Sequence, residues 1–136
     1  MNKSYTILLA DDDPDDQELI LLAFSKVSPN FNLHIVNNGK EVLDFLSSST
    51  DGKLPCLIVL DYNMPELNGA QVLQTLHSTD RYEGIPKVVL STSNNPTYIK
   101  DCLVKGADAY KVKPDSFSQL VNIAKEMLDM CNSNKA

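Results

Sequence analysis

Residues 56–69 read CLIVLDYNMPELNG. Leu57 to Leu60 is an unbroken apolar run, short enough for a strand buried on both faces of a parallel sheet. It stops at a carboxylate, Asp61, and Pro65 and Gly69 follow closely, so the chain turns there. Asn68 with Gln71 three residues later forms a capping box that opens a helix. The unit is a strand, a loop carrying an acid, and a helix. Ligands of open α/β sheets bind outside the carboxyl ends of the strands, and Asp61 stands at such a place. A single Asp there is more simply read as the residue that ends the strand, so its meaning depends on the other strand ends.

The same alternation runs along the rest of the chain. Toward the N-terminus, residues 5–10 (YTILLA) predict a buried strand ending in Asp11, Asp12 and Asp13. Asp13 and Pro14 start a helix as N-cap and first helical residue. Asp15, Asp16 and Glu18 fill its first turn, where the helix dipole favours negative charge. That helix passes through Leu19, Leu22, Ala23 and Phe24 to about Val27. Residues 33–36 (LHIV) are a second strand, and Asn38 with Glu41 opens a helix with Val42, Phe45 and Leu46 inward. Residues 47–55 (SSSTDGKLP) have loop composition. After the Asp61 unit, residues 87–90 (KVVL) form a strand ending at Ser91 and Thr92. Asn95 and Pro96 start a helix that Gly106 closes as its C′ residue. Residues 109–112 (AYKV) are the last strand, ending at Lys113 and Pro114. Ser116 with Gln119 opens a final helix carrying Phe117, Leu120, Val121, Ala124, Met127 and Leu128 at helical spacing. Five strands each followed by a helix predict an α/β fold with a doubly wound parallel sheet. The expected organisation is one domain over residues 1–130, with residues 131–136 as a flexible C-terminal tail.

Composition sets limits. The chain has 136 residues, 43% of them hydrophobic, and a net charge of −6. That length suits one self-sufficient core, and the acidic balance argues against a nucleic-acid surface. No segment approaches a membrane span or a secretory leader. Cys56, Cys102 and Cys131 are an odd, scattered set, from which neither a disulfide framework nor a thiolate metal site is expected, and a cytoplasmic location fits.

Polar chemistry gathers at four strand ends: Asp11 and Asp12, Asp61, Ser91, and Lys113. A central first strand would bring these ends together at a topological switch point. Three carboxylates in one place repel unless a cation lies between them. The donor set suits a hard, oxygen-loving ion, Mg²⁺ or Mn²⁺, that keeps waters and accepts a phosphoryl oxygen. With Lys113 and the Ser91 hydroxyl alongside, Asp61 becomes the candidate nucleophile of a phosphoryl-receiving site.

At this point the sequence resembles the receiver domains of two-component response regulators. The motifs are ILLADDD, LIVLDYNMPELNG, PKVVLST and GADAYKVKP, which together span nearly the whole chain. The resemblance implies a five-stranded flavodoxin-like sheet in the order 2-1-3-4-5. It implies that Asp61 is the phosphoacceptor for a sensor histidine kinase or a histidine phosphotransfer protein. It implies Mg²⁺ held by Asp12, Asp61 and the backbone carbonyl of Asn63, with Asp11 acting through water. Ser91 and Lys113 would bind the phosphoryl oxygens, and Tyr110 would turn inward as the Ser91-linked switch. A downstream protein partner, a stand-alone receiver without an output domain, a weak homodimer through the fourth helix, fifth strand and fifth helix, and a cis Lys113–Pro114 bond are further expectations.

Some residues depart from the family pattern. Thr92 replaces a usual Ala or Gly, and Asp115 replaces a common aromatic after Lys113–Pro114. Asp13 and Asp16 add charge beyond the usual acidic pair and are read as serving the helix N-terminus. His34 and His77 have no partners at ligand spacing. Three other readings fit less well. A haloacid-dehalogenase-type phosphatase needs a second Asp where Asn63 stands, a flavin carrier needs a Ser/Thr/Gly-rich phosphate loop, and an EF-hand needs Gly at Asp16. The intact Asp61, Ser91 and Lys113 set argues against a passive docking module.

Overall fold

The computed structural model describes residues 5–133. Its elements are β1 (Tyr5–Ala10), α1 (Pro14–Val27), β2 (Phe31–Val36), α2 (Gly39–Ser48), β3 (Leu57–Leu60), α3 (Gly69–His77), β4 (Lys87–Ser91), α4 (Pro96–Val104), β5 (Ala109–Val112) and α5 (Phe117–Ser133). The strands form one parallel sheet in the order β2-β1-β3-β4-β5. This is the doubly wound arrangement expected from the sequence. Because side chains alternate across a strand, each central strand feeds two cores. Leu8, Ala10, Ile58, Leu60 and Val89 pack under α2, α3 and α4 with Val42, Leu46, Val72, Leu73 and Cys102. Ile7, Leu9, Leu57, Val59, Val88 and Leu90 pack on the other face against Ile20, Ala23 and Phe24 of α1 and Leu120, Ala124 and Met127 of α5.

Local chemistry sets the helix ends. The Asp13 side chain accepts from the Asp15 and Asp16 amides, with Pro14 following it. The Asn68–Gln71 capping box closes in both directions. Asn38 also caps α2, but the Glu41 carboxylate accepts from Asn37 N instead of the cap residue's own amide. Gly106 ends α4 at φ +111°, a left-handed conformation that penalises a side chain.

The inward stripe of α1 runs through Ile20, Ala23 and Phe24, and Leu19 and Leu22 face solvent at 45% and 48% exposure. Several expectations need correction. The 47–55 loop begins later and contains a 3₁₀ turn at Asp51–Lys53; a second such turn, Asp80–Tyr82, follows α3. Arg81 clamps the two turns together, with Nε 2.7 Å from Asp51 and further donation to the Leu46 and Ser49 carbonyls. No peptide bond among the described residues is cis, so Lys113–Pro114 is trans. The long lysine side chain reaches the strand ends without a reversed backbone.

The C-terminal tail and the cysteines also differ from expectation. α5 continues through residues 131–133, with Cys131 buried, while residues 134–136 lie outside the described residues. Cys131 forms a disulfide with Cys56, across 75 residues of sequence. Spacing hid this pair, because only the packing of α5 onto the β1–β3 face brings its last turns beside the start of β3. Closing so long a loop typically stabilises a fold by about 2–4 kcal/mol. Cys102 is free and buried, and burial pushes its thiol pKa up to about 11. Unreduced, denatured protein should therefore titrate one thiol, rising to three after reduction. Three thiols before reduction would show the pair unbonded.

Candidate functional site

The strand ends converge through backbone hydrogen bonds. Asp11 N donates to Val36 O (3.1 Å), Asp61 N to Ala10 O (2.9 Å) and Lys113 N to Ser91 O (2.8 Å). The sheet register therefore carries on into the residues that bear the chemistry. The β3–α3 loop is folded tightly beneath Asp61. Gly69 N donates to Tyr62 O at 2.9 Å, and a Cβ at Gly69 would lie 2.8 Å from the Asp61 carbonyl oxygen. No side chain fits there without displacing the loop. Within that loop Glu66 sits at φ +72°, a left-handed conformation costing about 1–2 kcal/mol for a residue with a Cβ.

Asp11, Asp12 and Asp61 each offer a carboxylate oxygen, and these oxygens lie within 4.8 Å of one another. Asp11 is 1% exposed and Asp61 9%, whereas Asp12 is open to solvent. Three oxygen donors with one open side suit a hard divalent cation that retains water. The donor chemistry present thus fits Mg²⁺ or Mn²⁺. Lys113 enters from β5: Nζ is 2.7 Å from Asp11 Oδ2, 2.8 Å from Asp16 Oδ2 and 3.6 Å from Asp61 Oδ2. Asp61 is in ion-pair range but lacks a close hydrogen bond to the ammonium.

Burial governs the electrostatics. Desolvation raises the Asp11 carboxyl pKa above its ordinary value, and bonds from Lys113 and the Asp13 amide offset only part of that. Desolvation likewise raises Asp61. The Lys113 charge, the Ser91 hydroxyl and the Tyr62 amide oppose the rise, while the Asp11 charge adds to it. Burial alone would lower Lys113. Its bonds to Asp11 and Asp16 and the charge of Asp61 outweigh burial and raise it above the usual lysine range. The ammonium is therefore a fixed positive charge among carboxylates that are costly to ionise.

Asp16 is the residue that sequence reasoning placed wrongly. Asp13 does the capping, and Asp16, one helical residue behind Asp15, reaches across to Lys113. Only the register between α1 and β5 reveals this. Ser91 is fully buried, and its Oγ accepts from Ser93 N (3.3 Å). Tyr110 is half-buried, with its hydroxyl donating to Ser93 O at 2.7 Å. The Tyr62 ring stacks on Tyr98 of α4 at 4.5 Å with an 11° interplanar angle. Asn63, Thr92 and Asp115 are exposed. His34 lies against Phe45 and His77 against Gly106, away from the cluster.

The family model described as "Response regulator receiver domain" matches residues 7–125. The chain belongs to this family. Receiver domains serve phosphorelay signalling in two-component systems, accepting phosphate from histidine kinases or phosphotransfer proteins. The chain is 32% identical over 112 residues to two-component response regulator ORR1 of Oryza sativa, covering 79% of this chain and 48% of that protein. It thus spans about half the length of that relative. The probable methanogenesis regulatory protein FilR2 of Methanothrix harundinacea is 30% identical, over 90% of this chain and 81% of its own. Among solved structures, the phosphorylated cyanobacterial phytochrome response regulator RcpA superposes with a TM-score of 0.87 at 29% identity, over 98% of both chains. The Mn²⁺-bound form of response regulator Rcp1 does so with 0.78 at 27% identity, over 90% of both. The matched span, residues 7–125, includes the cluster of Asp11, Asp12, Asp16, Asp61, Ser91 and Lys113 at the strand ends. Among the described residues no helix is long and apolar enough to cross a membrane.

The raised carboxyls make stability depend on pH with a definite sign. A folded-state pKa above the unfolded 3.8 means that the native chain binds these protons more tightly. The resulting stabilisation is complete below pH 3.8 and is lost as pH rises through the raised values. Without divalent metal, the wild-type urea midpoint should fall more between pH 4 and 7 than that of Asp61→Asn. At pH 7 the variant should be the more stable, by roughly 1–2 kcal/mol on the scale of single substitutions. A wild type more stable than Asp61→Asn at pH 7 would refute the account.

Proposed function

We propose that this receiver domain takes a phosphoryl group onto Asp61 from a sensor histidine kinase or a histidine phosphotransfer protein, and so changes the face it presents to a downstream protein. The observation that carries the reading is the Lys113 ammonium beside a nearly buried Asp61 whose carboxylate lies within 4.8 Å of those of Asp11 and Asp12. The role is that of a phosphoacceptor that promotes its own labelling and hydrolysis, not of an enzyme acting on a separate substrate.

An Asp61 oxygen attacks phosphorus as the N–P bond of the donor phosphohistidine breaks, leaving an acyl phosphate and a neutral imidazole once the departing nitrogen is protonated. Asp12, Asp61 and the Asn63 backbone carbonyl would hold Mg²⁺, with Mn²⁺ able to substitute, and Asp11 would act through water. Held there, the ion would supply positive charge that offsets the charge of the carboxylates and of the incoming phosphoryl group. Lys113 places a second positive charge against the same oxygens, and Ser91 donates its hydroxyl to one of them. The Mn²⁺-bound Rcp1 supports the choice of cation by likeness. A cytoplasmic location accords with a histidine-kinase donor, and weak pairing through α4, β5 and α5 is part of the proposal.

With a small phosphodonor and Mg²⁺, mass spectrometry should find an acyl phosphate on Asp61, absent without the ion and absent in Asp61→Asn. Equal labelling of the variant would remove Asp61 from this role.

Relay would run through Ser91 and Tyr110. Drawing the Ser91 hydroxyl to the phosphoryl group changes the β4–α4 loop, to which Tyr110 is bonded through Ser93 O. Ser91→Ala should still be labelled at Asp61, but its partner binding should no longer respond to phosphorylation. A normal response in a binding titration would exclude this route.

A further inference from the structure

Lys113 has three N–H donors, and its position is set by the two acids that lie closest. Asp11 and Asp16 hold Nζ at 2.7 Å and 2.8 Å, leaving Asp61 at 3.6 Å. Asp16 stands apart from the carboxylates that can share a metal ion, which are Asp11, Asp12 and Asp61. It does not cap the helix either, since Asp13 accepts the first-turn amides. Among the described contacts, its side chain bonds to Lys113.

From this we infer that Asp16 is a positioning residue that holds Lys113 back toward α1 and away from Asp61, slowing phosphoryl transfer. The inference rests on Asp61 being the phosphoacceptor. The physical reason is competition for one cation. A phosphoryl group arriving at Asp61 develops negative charge that the ammonium can stabilise only insofar as it leaves its present acceptors. Asp11 stays near the reaction and keeps Lys113 within the cluster. Asp16 pulls the opposite way, from the first turn of a helix that carries no reacting group. Its carboxylate also repels the incoming anion. Both effects make Asp16 oppose labelling; an isosteric amide removes the repulsion and weakens the hold on Lys113 to a neutral-acceptor hydrogen bond.

The test compares Asp16→Asn with Asp16→Glu and Asp15→Asn. Asp15 is a neighbouring, exposed acid of the same helical turn without a bond to Lys113, so its variant reports general charge alone. Labelling of Asp61 by a small phosphodonor at saturating Mg²⁺ should be roughly tenfold faster in Asp16→Asn, the scale of one redirected charge-assisted hydrogen bond. Asp16→Glu should return toward the wild-type rate, and Asp15→Asn should match it. A second readout needs neither metal nor phosphodonor. The ¹⁵Nζ resonance of Lys113, assigned by its loss in Lys113→Arg, should shift in Asp16→Asn and stay in place in Asp15→Asn. A Lys113 resonance indifferent to Asp16→Asn would overturn the bond. Unaltered or slower labelling in Asp16→Asn, or an equal acceleration in Asp15→Asn, would overturn its role. Absence of labelling in the wild type would instead refute the phosphoacceptor reading on which the inference rests.

Discussion

The ammonium of Lys113 is the contact on which the rest of the site depends. Four carboxylates crowd one end of the sheet, and burial opposes the ionisation of two of them, Asp11 and Asp61. Lys113 is the positive charge placed among them, bonded to acids from β1 and α1 and facing the acid at the end of β3. Its reach is fixed by sheet topology. β5 lies at one edge of the sheet and β1 is central, with β3 and β4 between them, so the lysine must cross the two intervening strand ends. Ser91, at the end of β4, lies along that path and bonds to Lys113 through the backbone. A flexible four-carbon stem ending in a point charge suits this span better than a planar guanidinium would.

The surrounding fold supports an arrangement that opposes its own stability. Central strands with nearly every side chain buried, and two cores rather than one, supply an excess that a cluster of ionised acids can draw on. The tight approach of Gly69 beneath Asp61 and the left-handed Glu66 belong to the same local compromise. Such features persist where the neighbouring structure over-determines them, and here the completed capping box of α3 pins the far end of the loop. The Cys56–Cys131 disulfide acts at the opposite end of β3, fastening the last turns of α5 to the sheet without touching the acidic cluster.

The fold could be read from the sequence because each element carried its own punctuation. Buried runs such as LIVL and KVVL ended at polar residues, and Asp13, Asn38, Asn68 and Asn95 marked helix starts that the structure reproduces. Asp11, Asp12, Asp61, Ser91 and Lys113 were legible for a related reason, since parallel strands bring all their carboxyl ends to one edge. What the sequence concealed depended on registers between elements distant in the chain. Asp16 looked like a helix-dipole residue because its partner lies 97 positions away. Cys131 looked like a frayed end because no local pattern shows which strand α5 covers. In α1, with apolar residues at 19, 20, 21 and 22, periodicity alone does not single out Ile20 as the one that points inward.

The aromatic residues around the site explain how a change confined to Asp61 could be felt on another surface. Tyr62 immediately follows Asp61, and its ring is stacked on Tyr98 of α4. Tyr110 of β5 is bonded to Ser93, two residues beyond Ser91. The acidic cluster is thus joined to α4 through the β3–α3 loop and to β5 through the β4–α4 loop. Each contact is modest: an aromatic pair contributes about 0.5–1.5 kcal/mol and a hydrogen bond about 1 kcal/mol. Inverting a 1:99 population takes about 5.5 kcal/mol of differential binding. Neither contact alone reaches that figure, nor do the two together, so on the proposed function most of the bias would have to come from the phosphoryl group's own contacts. A switch built in this way would respond to the phosphoryl group as a unit and would yield only partly to the loss of any one ring.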